Sequence, residues 1–110
     1  MAQTLLAQLA QGEVKFSDVL VFIEARYTHT PTAFKNGQQT NAATENQGSA
    51  KVFSFAQLNG LNKEQTLSLF AEHYTSVLNT PEASDHQNIR QFMLNGWDGI
   101  QFDGTALTAK

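Results

Sequence analysis

Hydrophobic positions fall into blocks separated by polar punctuation, and the spacing within each block predicts an element. Leu5, Leu6 and Leu9 share one side of a short helix over Thr4–Gln11, with Gly12 suited to cap its end. Phe16, Val19, Leu20, Ile23 and Tyr27 recur at the spacing of a helix that buries one face, and Ser17 or Asp18 suits its start. Val21 and Phe22 widen that stripe, so the helix is expected to be covered on more than one side. Thr30-Pro31 stops it, because a residue before proline avoids the helical region.

From Lys35 to Lys51 no large apolar residue occurs. Asn36-Gly37 signals a two-residue hairpin between Phe34-Lys35 and Gln38-Gln39, and Thr40–Ser49 reads as loop. Ala50–Phe55 turns apolar, and Phe53 and Phe55 would share one face of a strand. After a turn at Leu58–Leu61, Asn62 and Gln65 have capping-box spacing. Leu67, Phe70, Ala71, Tyr74, Val77 and Leu78 then predict one continuous helix, ended by Thr80-Pro81. Ser84 and Gln87 repeat the capping-box spacing before a last helix carrying Ile89, Phe92 and Met93, which Gly96 ends. Trp97–Phe102 alternates like an edge strand and is expected to pair with Ala50–Phe55. The sum is an α+β fold, about four helices packed on a small antiparallel sheet, in a single compact domain over residues 1–110 with its core at about 16–107.

Composition narrows the function classes. Charged residues are only 15%, while eight Asn and eleven Gln make much of the surface amide rather than ionic. A net charge of −3 with scattered Lys and Arg gives no footprint for nucleic acid. The absence of Cys removes disulfides, thiolate chemistry and Cys-ligated zinc, and fits a reducing compartment. The start of the chain lacks the basic and long apolar regions of a secretory signal, and no segment is long enough to span a bilayer. The expectation is a cytoplasmic, non-membrane protein. The uncharged opening, Met1–Gly12, is also compatible with type III secretion.

The densest functional cluster is Asp85-His86-Gln87-Asn88-Ile89-Arg90, at the predicted start of the last helix. A helix N-terminus presents unpaired N–H groups and a positive dipole end, so His86, Asn88 and Arg90 there suit a phosphate or carboxylate. The plainer alternative is that Asp85 favours the helix dipole and Arg90 pairs with an acid. His29, His73 and His86 have no metal-ligand spacing, and neither a nucleophile elbow nor a Gly-rich phosphate loop occurs. Glu72-His73 reads as a solvated helix face. No metal and no cofactor are expected, and catalytic residues are not identified.

Three blocks carry a family resemblance: NxGSxKxFxF from Asn46 to Phe55, TLxLFxxxY from Thr66 to Tyr74, and DHxNIRxFMxxGWxGIxF from Asp85 to Phe102. Upstream, FxDVxxxIExxY is met from Phe16 to Tyr27. Together they resemble the HopJ family, bacterial proteins named for a type III effector of plant-pathogenic pseudomonads. That resemblance implies an effector whose partner would be a host protein, and it brings no catalytic residues with it. Joined to the residue chemistry, it points to a pocket of Asn41, Asn46, Ser49, His86, Asn88 and Arg90 with Tyr27 and Trp97 as aromatic walls. The alternative to an effector is a cytoplasmic module binding a small polar or anionic ligand. A small hydrolase or transferase, needing His86 as acid or base, ranks last.

Overall fold

The computed structural model describes residues 2–12 and 14–110. Six α-helices and two small antiparallel sheets make one α+β unit. The helices are α1 (Ala2–Ala10), α2 (Phe16–Arg26), α3 (Gln47–Leu58), α4 (Lys63–Ser68), α5 (Glu72–Asn79) and α6 (Gln87–Asn95). The strands, three residues each, are β1 (Tyr27–His29), β2 (Phe34–Asn36), β3 (Gln39–Asn41), β4 (Ile100–Phe102) and β5 (Leu107–Ala109). Strands β3, β2 and β4 form one sheet in that order, and β1 pairs with β5 in the other. No helix among the described residues is long and apolar enough to cross a membrane.

The centre of the core is α3, where Val52, Phe53, Phe55 and Ala56 are fully buried. This segment was expected to be a strand. Two residues apart on a helix are turned by about 200° from each other. Phe53 therefore packs against Phe34, Phe70, Phe92 and Trp97, while Phe55 packs on the other side against Phe22 and Tyr27. A helix covered all round has no polar face to reveal its period. With α3 helical, the tail pairs elsewhere. Residues Gly96–Gly99 form a short 3-10 turn, and β4 pairs with β2, setting Phe34 opposite Phe102 with their rings stacked at 5.2 Å.

Three further expectations shift. Helix α2 ends at Arg26, four residues before Thr30, because Tyr27 turns extended to pair with Ala109. Its start is capped by Asp18, whose Oδ2 accepts from the Lys15 N–H at 3.0 Å. The hairpin turn is Gly37-Gln38, one residue later than the Asn-Gly signal, and Asn36 pairs with Gln39. Gly37 takes φ +58, and a side chain there would collide with Gln91 and Asn95. The stripe from Leu67 to Leu78 is two helices, because Ala71 adopts φ 52 and ψ −121 and breaks it. That break, together with the helical α3, raises the helix count from the expected four to six.

Candidate functional site

Three residues other than glycine have positive φ among the described residues: Asn46, Ala71 and His86. Each is the N-cap of a helix, α3, α5 and α6 respectively, and none caps its helix with its own side chain. A non-glycine residue in this region is strained, and such residues cluster where binding groups are held. The first turns of these three helices face one cavity of about 320 Å³.

Each side of the cavity has its own chemistry. Asn46, Gly48 and Ser49 come from the start of α3, and His86, Gln87 and Asn88 from the start of α6. From the start of α5 comes His73, half-buried, with its ring 5.0 Å from that of His86. Phe16 of α2 and Phe70 supply an apolar wall, stacked on each other at 5.7 Å, and Phe16 also meets the His73 ring edge-on at 4.9 Å. Gln39 of β3 and Ile89 of α6 complete the lining. Among the described residues no Asp, Glu, Lys or Arg side chain lines it.

The floor is held by a chain of side-chain amides. Asn41 and Asn88, both buried, bond reciprocally: Asn41 Nδ2 donates to Asn88 Oδ1 at 3.2 Å, and Asn88 Nδ2 donates to Asn41 Oδ1 at 3.0 Å. Asn46 Nδ2 donates to Asn41 Oδ1 at 2.7 Å, and Asn36 Nδ2 donates to Asn88 Oδ1 at 3.1 Å. The loop before α3 is tied down by Gln47, which accepts from the Thr32 N–H and donates to the Thr32 and Glu45 carbonyls. This stretch was read as free loop through Ser49; instead β3 and the first turn of α3 take both its ends.

Neighbouring charges are already engaged. Burial raises the Glu72 carboxyl, but hydrogen bonds from the Phe16 N–H and its own N–H, with His73 and Lys15 nearby, bring it below its ordinary value. Asp85 is held below the usual carboxylate range chiefly by the hydrogen bond from Arg90, an ion pair at 2.8 Å.

The structure divides the sequence-derived site residues. Asn46, Ser49, His86 and Asn88 line the cavity, and Asn41 lies beneath them. Arg90 points away. It donates to the carbonyls of Asp85, Thr80 and Pro81, and lines a separate cavity with Leu78 and Met93. Tyr27 sits against Phe55, where its hydroxyl accepts from Asn59. Trp97 is packed on Phe53 and Phe92, and its indole N–H donates to the Leu61 carbonyl. The aromatic wall is Phe16 and Phe70 instead. His73 was read as solvated, since only the break at Ala71 turns the start of α5 toward the cavity. His29 stays apart, bonded to Gln47. No group of three His, Cys, Asp or Glu among the described residues is placed to hold a metal ion.

Against this geometry, known proteins supply a family. The family model described as HopJ type III effector protein matches residues 2–107. A solved structure, the crystal structure of unknown function protein VPA0580, is 50% identical, covering 98% of this chain and 92% of that one with a TM-score of 0.91. None of the curated proteins matches this chain.

Proposed function

The chain belongs to the HopJ type III effector family, and from that premise we propose that its working part is the cavity between the starts of α3, α5 and α6. The cavity binds a small polar or anionic ligand. The observation that carries this reading is the pair of histidines, His73 and His86, set across a polar floor from different helices and backed by phenyl rings. Apolar walls with a few convergent polar groups are the usual make-up of a ligand site. The uncapped first turns of α3 and α6 favour negative charge on the ligand.

The test is a two-dimensional amide NMR titration of labelled protein with pooled phosphates, nucleotides, carboxylates and metal ions. Saturable shifts confined to Asn46–Ser49, His73 and His86–Ile89 are expected. Shifts scattered over the surface, or none with any pool, would sink the reading.

A second reading, that the protein is translocated through a type III system to act on a host protein, is favoured by the family match over residues 2–107. Leu5 of α1 is buried in the core, so deleting the first helix would open the fold along with any export signal. Fusing Met1–Glu13 to a reporter separates the two effects. Export of the reporter by a type III-competent strain supports translocation; retention, with a known effector exported in parallel, counts against it.

A further inference from the structure

We propose that the cavity takes up protons together with its ligand: His73 and His86 hold a doubly charged oxyanion, a sulfate- or phosphate-like group, as a pair of imidazolium ions. This rests on the ligand site proposed above and names both the ligand's charge and its pH control. Neither imidazole makes a hydrogen bond to another described residue, so their ring nitrogens are open to a bound group. Phe16 meets the His73 ring edge-on at 4.9 Å.

The two carboxylates nearest the rings are already engaged. Glu72 is bonded by the Phe16 N–H and Asp85 is clamped by Arg90, though each also feels the charge of its neighbouring histidine. Among the described residues no carboxylate lines the cavity itself. Two cations whose rings lie 5.0 Å apart repel each other, and the N-terminal ends of α5 and α6 add to that repulsion. An anion held in the cavity beside both rings reverses the sign of both effects. Proton binding and anion binding therefore assist each other, each raising the affinity of the site for the other by the same factor. Imidazole is the side chain whose charge changes between about pH 5 and pH 8, so that is the range in which the coupling is read. The protons come from solvent and no bond of the ligand is broken.

Sulfate is the probe, because it stays doubly charged throughout this range and any pH dependence then belongs to the protein. The full chain is titrated with sodium sulfate at about pH 5.5 and about pH 7.5, at ionic strength held constant with chloride, while amide and imidazole resonances are followed. Binding at least about tenfold tighter at the lower pH is expected, with shifts at Ser49, His73, His86 and Asn88. His73→Gln and His86→Asn, each checked for an unchanged Tm, should each weaken low-pH binding several-fold and flatten its pH dependence. Asparagine is chosen at position 86 because it tolerates the left-handed backbone there. Equal affinity at both pH values overturns the proton coupling while leaving the cavity as a ligand site. Shifts elsewhere on the surface, or none at either pH, overturn the oxyanion assignment, and the broader ligand panel then judges the cavity independently.

Discussion

Asn41 and Asn88 stand 47 residues apart and bond side chain to side chain in both directions, at 3.2 and 3.0 Å. This reciprocal pair fastens the β2–β3 hairpin to the start of α6, and with Asn46 it joins both to α3. Asn41→Ala would leave the buried Asn88 amide without its acceptor. The expected cost is about 2 kcal/mol. Urea denaturation measures it as a lower midpoint at unchanged m-value. A change below about 0.5 kcal/mol would mean that water or a neighbour replaces the lost bond at no cost.

Arg90 and His86 should separate cleanly. Arg90 ties the Thr80, Pro81 and Asp85 carbonyls together ahead of α6, so Arg90→Ala is expected to destabilise the fold by about 2 kcal/mol. The His86 side chain is exposed and hydrogen-bonds no described residue, so His86→Asn should stay within about 0.5 kcal/mol of the wild type. Thermal unfolding of both variants decides it. The reverse order would show that His86, not Arg90, organises the start of α6.

Ala71 carries strain that glycine would not. At φ 52 and ψ −121 its Cβ is forced close to the backbone, whereas glycine adopts that conformation freely. Ala71→Gly should stabilise the protein by up to about 1 kcal/mol, the relief of strain exceeding the added entropy of the unfolded chain. A clear loss of stability on denaturation would disprove the strain.

Acid should act through Glu72 and Asp85. Both carboxyls titrate below their ordinary values of 4.5 and 3.8 in the folded protein, so the unfolded chain takes up their protons first. Their contribution to stability is complete above those ordinary values and is lost as pH falls through the lowered ones. The double variant Glu72→Gln and Asp85→Asn should show a shallower loss of stability below pH 4.5 than the wild type. Parallel curves from chemical denaturation across that range would assign the acid limb to other groups.

Helices with one wet face were legible in the chain. The Phe16–Ile23 stripe, the Asn62–Gln65 capping box and the end of the last helix at Gly96 form as the pattern implies, because each is decided by neighbours within two turns, whereas the Ser84–Gln87 box expected at that helix's start gives way to an N-cap at His86. The capping box is observed with both reciprocal bonds, at 3.0 and 2.8 Å. Part of the cavity lining could be read as well, since Asn46, Ser49, His86 and Asn88 are polar residues that no stripe absorbs. Tyr27 and Trp97 misled for a physical reason. A large aromatic residue with one polar atom looks like a pocket wall, yet here Asn59 and the Leu61 carbonyl satisfy that atom within the packed interior.

The sequence by itself determined the α+β class, the amphipathic helices and the polar segments that meet at the cavity. Local propensity and periodicity are enough for these. Only the tertiary structure decided that Ala50–Phe55 is helix, that Ala71 splits the long stripe, and that β4 pairs with β2. A segment buried on every side has no polar face to report its period, and a strained N-cap persists only where surrounding packing holds it. The meeting of His73 with His86 is of the same kind: two rings 13 positions apart, brought within 5.0 Å by a break at Ala71 that nothing local announces.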